Sequence, residues 1–565
     1  MAPSLSPASR NHPPRQRRTI GLLTARIGRV WGREFIAGVT DAARALDVNL
    51  RIFVCRQIGG SEFSLYNLVD PASLGGLILA ADLGHGASQI ELEQFCARFQ
   101  PLPMQAVSLE VPGIPSIHTD SYNGMRQAVL HLIEVHKLRR IAFVRGPQRQ
   151  SEAEQRYRAY LSALETHAIP LDEALVVPGD FSLDSGRAAI SLLLDERHAH
   201  FQAVVTANDR MAFGALEALQ QRRRQIPAEI ALVGFDDVTE AQALGVPLTT
   251  VRQPFYATGH QAVHLLLDRL GGKTVPEQSL LPTELVIRWS CGCLPPAVQQ
   301  VHCAEILPPP QADDGMLVER CQPAIDALTK IIHENALPGV KLIDRRIRQS
   351  LGKLWEAFLD DLSSQGSSRF PQVFSQILAA AQQIPLREGM SVWHGLLSEF
   401  RCQVLPYLPE RSQLQRAEDL LEQARILIGE VAQRTQASQR LVVEHQEELF
   451  QSLGATLTTL VSMKEIAPAV QQHFPGLGIQ RCCLSLYDTP GFVPLNIPAE
   501  QLHARLSMVY QSGEATWYAD GAEFPARQIL PPALVPADRR YSAIITPLGL
   551  AQSPLGILWN EIGPS

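Results

Sequence analysis

The most chemically suggestive side chains of this 565-residue chain stand at the ends of short apolar runs. Asn208 and Asp209 close AVVTAND, and Asp236 and Asp237 close IALVGFDD. Asp120 and Asn123 precede a helical stretch, Arg156 opens another, and Gln253 follows the turn PLTTVRQP. Any single Asp or Asn among these is most simply a helix N-cap, because a short side-chain oxygen accepts from the orphan N–H groups of a first turn. Collected together they have a second use. Carboxylates, planar amides and a guanidinium each offer paired hydrogen bonds, which match adjacent hydroxyls on a polyhydroxylated ligand. The chemistry is binding rather than bond breaking: no G-x-S-x-G, H-E-x-x-H or glycine-rich phosphate loop occurs. No catalytic residue is assigned, and no cofactor is expected.

Binding residues need elements to carry them. Thr19–Ala25, Asn49–Val54, Gly75–Ala81, Arg139–Gly146, Ala203–Asp209 and Ile230–Asp237 read as strands. Helical stretches lie between them, among them Gly124–Val135, Arg210–Gln221 and Phe35–Leu46, whose Phe35, Val39, Ala42, Ala43 and Leu46 share one face. Strand and helix in alternation predict an α/β fold with parallel sheets covered on both faces. Ligands of such sheets sit beyond the carboxyl ends of the strands, at a switch point or between lobes.

Five blocks, in order, carry a specific resemblance: TDSYNGMRQAVLHLIEVHKLRRIAFVRGP, ANDRMAFGALEAL, IPAEIALVGFDD, PLTTVRQP and LPTELVIRWSCGC. Over Arg18–Cys293 the chain resembles the effector-binding domain of the LacI/GalR family. The resemblance implies two Rossmann-like lobes, similar to periplasmic sugar-binding proteins, closing over a sugar or a nucleobase. It implies that Asp120 is a ligand contact, that Arg156 clamps sugar hydroxyls, and that Phe181 packs on the sugar face. Asn208, Asp236 and Gln253 fall on second-lobe contacts, and Trp31 and Phe35 on first-lobe aromatics. TARIGRVWGREF lacks the usual small-polar and Asn-Pro signature, and Ala159 stands where glycine is usual; the ligand need not be the familiar sugar. Members of the family begin with a helix-turn-helix head, whereas here the first strand starts at Thr19. Residues 1–18, with Arg10, Arg15, Arg17 and Arg18, are expected to be a disordered basic tail, so operator binding through the N-terminus is not expected.

The ligand-binding domain spans 19–293, and a Pro-rich linker follows at 294–314. Cys291, Cys293 and Cys303 stand near His302, but C-x-C-x9-C matches no standard four-ligand spacing; inert thiols are expected and no metal. Residues 315–408 read as helices, punctuated by Pro338, Pro371, Pro385 and Pro406. In 409–462 Leu414, Ala417, Leu421, Ala424, Ile428 and Val431 repeat with heptad spacing, predicting a signalling helix that pairs in parallel with a second copy, or packs within its own chain. Residues 463–563 resemble a GAF-type module, a small α+β domain, with Cys482 and Cys483 as buried strand thiols.

Composition bounds the rest. With 45% hydrophobic and 19% charged residues and a net charge of −7, the chain is a folded, multidomain class with no general field for nucleic acid. Nine cysteines, an odd number, suit a reducing cytoplasm, and no apolar run is long enough to span a membrane. The expected function is a non-enzymatic, cytoplasmic sensor. A small-molecule effector would close the lobes of a homodimer, and a helical stalk would relay closure to a downstream signalling or transcription partner. The alternative is a LacI/GalR-type transcriptional regulator reaching DNA through a partner or an unrecognised segment.

Overall fold

The computed structural model describes residues 17–27, 30–55, 58, 65–84, 87–148, 150–294, 314–336, 344–363, 369–381, 386, 389–408, 410–460, 462–488, 501–550 and 553–562. It divides into two units, Met1–Gly292 with Gln446–Ser565, and Cys293–His445.

In the first unit, β1 (Thr19–Thr24), β2 (Asn49–Val54), β3 (Gly76–Leu79), β4 (Met104–Val107), β5 (Ser116–Thr119) and β11 (Gln278–Leu281) pair in parallel, in the order β11-β5-β4-β3-β1-β2. This is the sheet of a first lobe. β6 (Ile141–Val144), β7 (Val176–Val177), β8 (Ala203–Thr206) and β9 (Ala231–Val233) form the parallel sheet of a second, ordered β7-β6-β8-β9. β10 (Thr250–Arg252) and β12 (Glu284–Val286) make a separate antiparallel pair. Each of the six runs read as strands holds one, generally shorter than expected, because the polar residues at the run's end leave the ladder and enter the loop beyond it. The strands are apolar on both faces, as parallel sheets require: Ile20, Leu22, Leu23, Val204 and Val205 have no exposed surface. Helices α1 (Val30–Ala45), α2 (Gln89–Ala97), α3 (Ser121–Glu134), α4 (Ser151–Thr166), α5 (Leu183–Ser191), α6 (Asp209–Gln221), α7 (Glu240–Ala243) and α8 (Phe255–Leu270) link the strands. The chain crosses between lobes after β5, after β10 and between β11 and β12, so Asp120 and Gln253 sit at crossings.

The C-terminal segment continues the first lobe. Its strands β13 (Arg481–Tyr487), β14 (His503–Gln511), β15 (Glu514–Trp517), β16 (Glu523–Pro525), β17 (Ser542–Leu550) and β18 (Ser553–Glu561) pair antiparallel among themselves. β17 also runs parallel to β2, Ser542–Ile545 against Leu50–Phe53, giving one sheet of 12 strands. An edge strand such as β2 presents a row of unpaired N–H and C=O groups, and β17 satisfies them. The junction is fastened by buried polar contacts. Arg51 Nε donates to the Tyr541 hydroxyl at 3.0 Å, and the Tyr541 N–H donates to Asn49 Oδ1 at 3.1 Å. Cys483, Ile545 and Trp559 pack with Leu23, Phe53 and Tyr66 in one core, while Cys482 faces a smaller core closed by Ala467 and Val470. Burial pushes the Cys483 thiol up to about 11 and that of Cys482 higher still.

The second unit is helical. Asp314–Asn335, Asp344–Ser363, Arg369–Ala381, Ser391–Val404 and the first part of Arg411–Thr459 enclose an aromatic core. Phe358 meets Phe370 and Phe400 edge to face at 5.2 and 5.1 Å. The buried Asp361 carboxylate accepts from the N–H of Phe370 at 2.9 Å, satisfying an orphan donor of that helix start. Here the heptad seam is corrected. Ala417, Leu421, Ala424, Ile428 and Val431 are buried within this bundle rather than presented to a second chain. Heptad spacing fixes which residues share a face, not whose surface covers it. Among the described residues no helix is long and apolar enough to cross a membrane.

Leu421 is 0% exposed. Leu421→Asp, which buries an unpaired carboxylate, is expected to cost about 4 kcal/mol or more and melt this bundle, read as lost helical signal on heating. A change in oligomeric mass with the bundle intact would restore the intermolecular seam.

Candidate functional site

Between the two lobes lies a cleft of about 440 Å3. Arg33 and Phe35 of α1, Ser108 after β4 and Thr119 at the end of β5 line it from the first lobe. Gln150, Glu152, Arg156, Phe181, Asn208, Asp236 and Val238 line it from the second, with Gln253 and Phe255 at the crossing. Among the described residues the lining carries neither histidine nor cysteine.

Arg156 is fixed from several sides and is only 2% exposed. Its Nη1 donates to the Ala207 carbonyl at 2.7 Å, and Nη2 lies 3.4 Å from both Ser121 Oγ and the Glu152 carboxylate. The guanidinium carbon sits 3.9 Å over the centroid of Phe235, a cation–π contact that desolvation strengthens. Asp236 Oδ1 lies 3.9 Å from Nη1. Charge and aromatic face are therefore held together by contacts within the protein itself.

Asp236 and Asp237 both hold left-handed backbone, φ +124° and +57°. Such conformations are costly for non-glycine residues and persist where surroundings over-determine them. Asp237 supplies that constraint. Its carboxylate contacts Arg252 Nε at 2.7 Å and Arg288 Nη2 at 2.6 Å, which anchors the loop and turns Asp236 toward the cleft. Asp236 Oδ1 accepts from Gln253 Nε2 at 2.6 Å, and Gln253 Oε1 accepts from Thr119 Oγ1 at 2.8 Å. One hydrogen-bonded chain thus runs from the first lobe through the crossing to the second. Burial pushes the Asp236 carboxyl up to about 6, with Arg156 and the Gln253 hydrogen bond pulling the other way. Behind it, Asp209 is fully buried, and burial and the Asp236 charge raise its carboxyl well above the usual range. It still accepts from Thr250 Oγ1 at 2.6 Å and Val238 N at 3.0 Å.

Phe181 has φ +66° and lays its ring against Gly146, where a Cβ would come within 2.5 Å of the ring. Glycine is what gives that ring its place. Asn208 caps α6 by accepting from the Met211 N–H at 3.0 Å, and its Nδ2 donates to the Phe181 carbonyl at 3.3 Å.

Of the residues singled out in the sequence, the structure gathers Phe35, Arg156, Phe181, Asn208, Asp236 and Gln253 around the cleft. Asp120 is not in the lining. It caps α3, accepting from the N–H of Asn123 at 3.0 Å and from Asn123 Nδ2 at 2.7 Å. The Trp31 side chain lies outside the described residues. Sequence reasoning missed Arg33, Gln150 and Glu152; Glu152 alone left a signal, standing one helical turn before Arg156.

Fold and cleft define a two-lobed, periplasmic-binding-protein-like sensor. The family model of the periplasmic binding protein-like domain matches residues 129–291. The HTH-type transcriptional regulator MalR of Streptomyces coelicolor is 32% identical over 246 residues, 42% of this chain and 70% of that protein. The HTH-type transcriptional regulator CelR of Thermobifida fusca is 38% identical over 207 residues, 34% of this chain and 60% of that protein. A solved CelR–cellobiose complex aligns over 49% of this chain and 85% of its own, at 28% identity and a TM-score of 0.43. The chain belongs to the LacI/GalR family of transcriptional regulators, and these relatives are named as regulators, not enzymes.

The raised Asp236 carboxyl carries a pH dependence with a definite sign. The folded state favours the neutral acid, so its stabilising contribution is complete below the ordinary value near 4 and is lost as pH rises through about 6. Asp236→Asn, neutral throughout, should match the parent below pH ~4 and exceed it by about 1–3 kcal/mol at pH ~7.5 in urea unfolding. A constant difference across that range would assign the carboxyl an ordinary titration.

Proposed function

We propose that this protein is a ligand-responsive transcriptional regulator of the LacI/GalR type whose effector is a sugar or similar polyol held between the lobes. One observation carries the reading. Asp236, Arg156 and Gln253 are fixed side by side on a cleft that also holds the Phe181 ring, the arrangement that paired hydroxyls and an apolar sugar face require. A volume of about 440 Å3 is of the size that encloses small ligands. A CelR regulator to which this chain is similar was solved with cellobiose, and cellobiose is therefore the first effector to try. A homodimer is the assembly this reading expects.

Lobe closure needs a route outward. The pairing of β17 with β2 supports one through the shared sheet, because whatever moves the first lobe carries the C-terminal strands with it. In this reading the GAF-like C-terminal segment is a rigid extension of the sensor that presents the signal to DNA-bound or partner machinery.

The test is a gel shift of the full chain on fragments of its source genome at two salt concentrations, with and without cellobiose. Retention of particular fragments, steeply weakened by salt and altered by the sugar, is expected. Retention of none at either salt would overturn the regulator reading in favour of a sensor acting through a protein partner.

A further inference from the structure

The sensor's last strand, β12, leads into the turn Trp289–Cys291 and then Gly292. Cys291 is 2% exposed, and its Sγ lies 3.6 Å from His131 Nε2. His131 stands in the last turn of α3, and His136 follows just beyond the helix end. Their imidazoles meet edge to face with centroids 5.0 Å apart. The candidate ligand atoms of His131, His136 and Cys291 all lie within 4.8 Å of one another. Gly292 has φ +102°, and a Cβ there would stand 3.4 Å from His136 Cε1. Glycine therefore lets the backbone turn tightly over the imidazole. Cys293 comes two residues after Cys291, so the length of chain alone keeps a second sulfur within reach of the same point.

Two imidazoles and two thiolates are the mixed nitrogen–sulfur set that zinc takes in tetrahedral geometry. Around one zinc, such ligand atoms stand about 3.3–3.8 Å apart. The Cys291–His131 separation already falls in that interval, and side-chain rotation closes the remainder. We propose that His131, His136, Cys291 and Cys293 form a structural zinc site that pins the exit of the sensor to the C-terminal end of α3. Four protein ligands leave no open position for substrate, so the site holds structure and does no chemistry. On binding, each thiol gives up its proton to solvent and the imidazoles coordinate as neutral bases. Sequence spacing hid the site because the histidines come from a helix far earlier in the chain. The position has a consequence for the sensor: α3 begins at the cleft, where Ser121 Oγ approaches Arg156, and the zinc would fix its other end.

The experiment is metal analysis of the full-length protein, purified under reducing conditions without chelator from zinc-supplemented medium. About one zinc per chain is expected. His136→Gln and Cys293→Ser, both at half-buried positions that tolerate the change, should retain the parent's circular dichroism and bind zinc more than ~100-fold more weakly. Cobalt exchanged into the parent should give the intense visible bands of a tetrahedral thiolate site, absent in Cys293→Ser. Parent protein that holds no zinc after reduction and reloading, or variants that hold as much as the parent, would overturn the site.

Discussion

A carboxylate and a guanidinium kept side by side out of water are costly unless their remaining hydrogen-bonding capacity is met. Asp236 and Arg156 meet most of that condition with the Gln253 amide, the Ala207 carbonyl, Glu152 and the face of Phe235, while Arg156 Nε is buried without a hydrogen-bond partner among the described residues. Much of the architecture around the cleft serves to hold these two groups there. The left-handed turn at Asp236 is possible because Asp237 is clamped by Arg252 and Arg288. Arg156 reaches the cleft because α4 starts after β6, at the carboxyl end of the second lobe's sheet. Gln253 then ties the pair to Thr119 of the first lobe. A ligand that replaces any member of this chain must exchange hydrogen bonds with both lobes, which gives it different affinity for open and closed arrangements.

The first lobe is not an isolated half of the sensor. Its sheet continues through β2 and β17 into the C-terminal strands, and Phe53, Tyr66, Ile545 and Trp559 belong to one core. The two segments are far apart in sequence but share a hydrophobic interior, so they unfold and move together. A helical stalk is therefore not required for the C-terminal segment to feel the first lobe. The helical unit stands on its own aromatic core, in which the heptad seam is already used.

The alternation of strands and helices was legible because a parallel sheet buried on both faces needs continuous apolar runs, and GFDD, AND and VRQ fall at their carboxyl ends. The binding candidates Arg156, Asn208, Asp236 and Gln253 followed from that placement. Asp120 has the same residue type and local setting, but its carboxylate turns back to its own helix, a choice between capping and ligand that spacing does not record. The six-stranded first-lobe sheet hid β4, β5 and β11, each only four residues long and bordered by a proline. The β2–β17 pairing and the grouping of His131 with Cys291 depend on contacts between distant parts of the chain, for which a single sequence holds no signal.

The most direct test of the account is a thermal-shift titration of the parent and of Asp236→Asn with cellobiose, single hexoses and pentoses, and nucleosides. At a hundredfold excess over its dissociation constant, an effector adds about 2.7 kcal/mol of stability, enough to move the transition by several degrees. The account predicts such a shift with a sugar for the parent and its loss in Asp236→Asn. Equal shifts in the two proteins, or a shift with none of these compounds, would contradict the placement of the effector against Asp236.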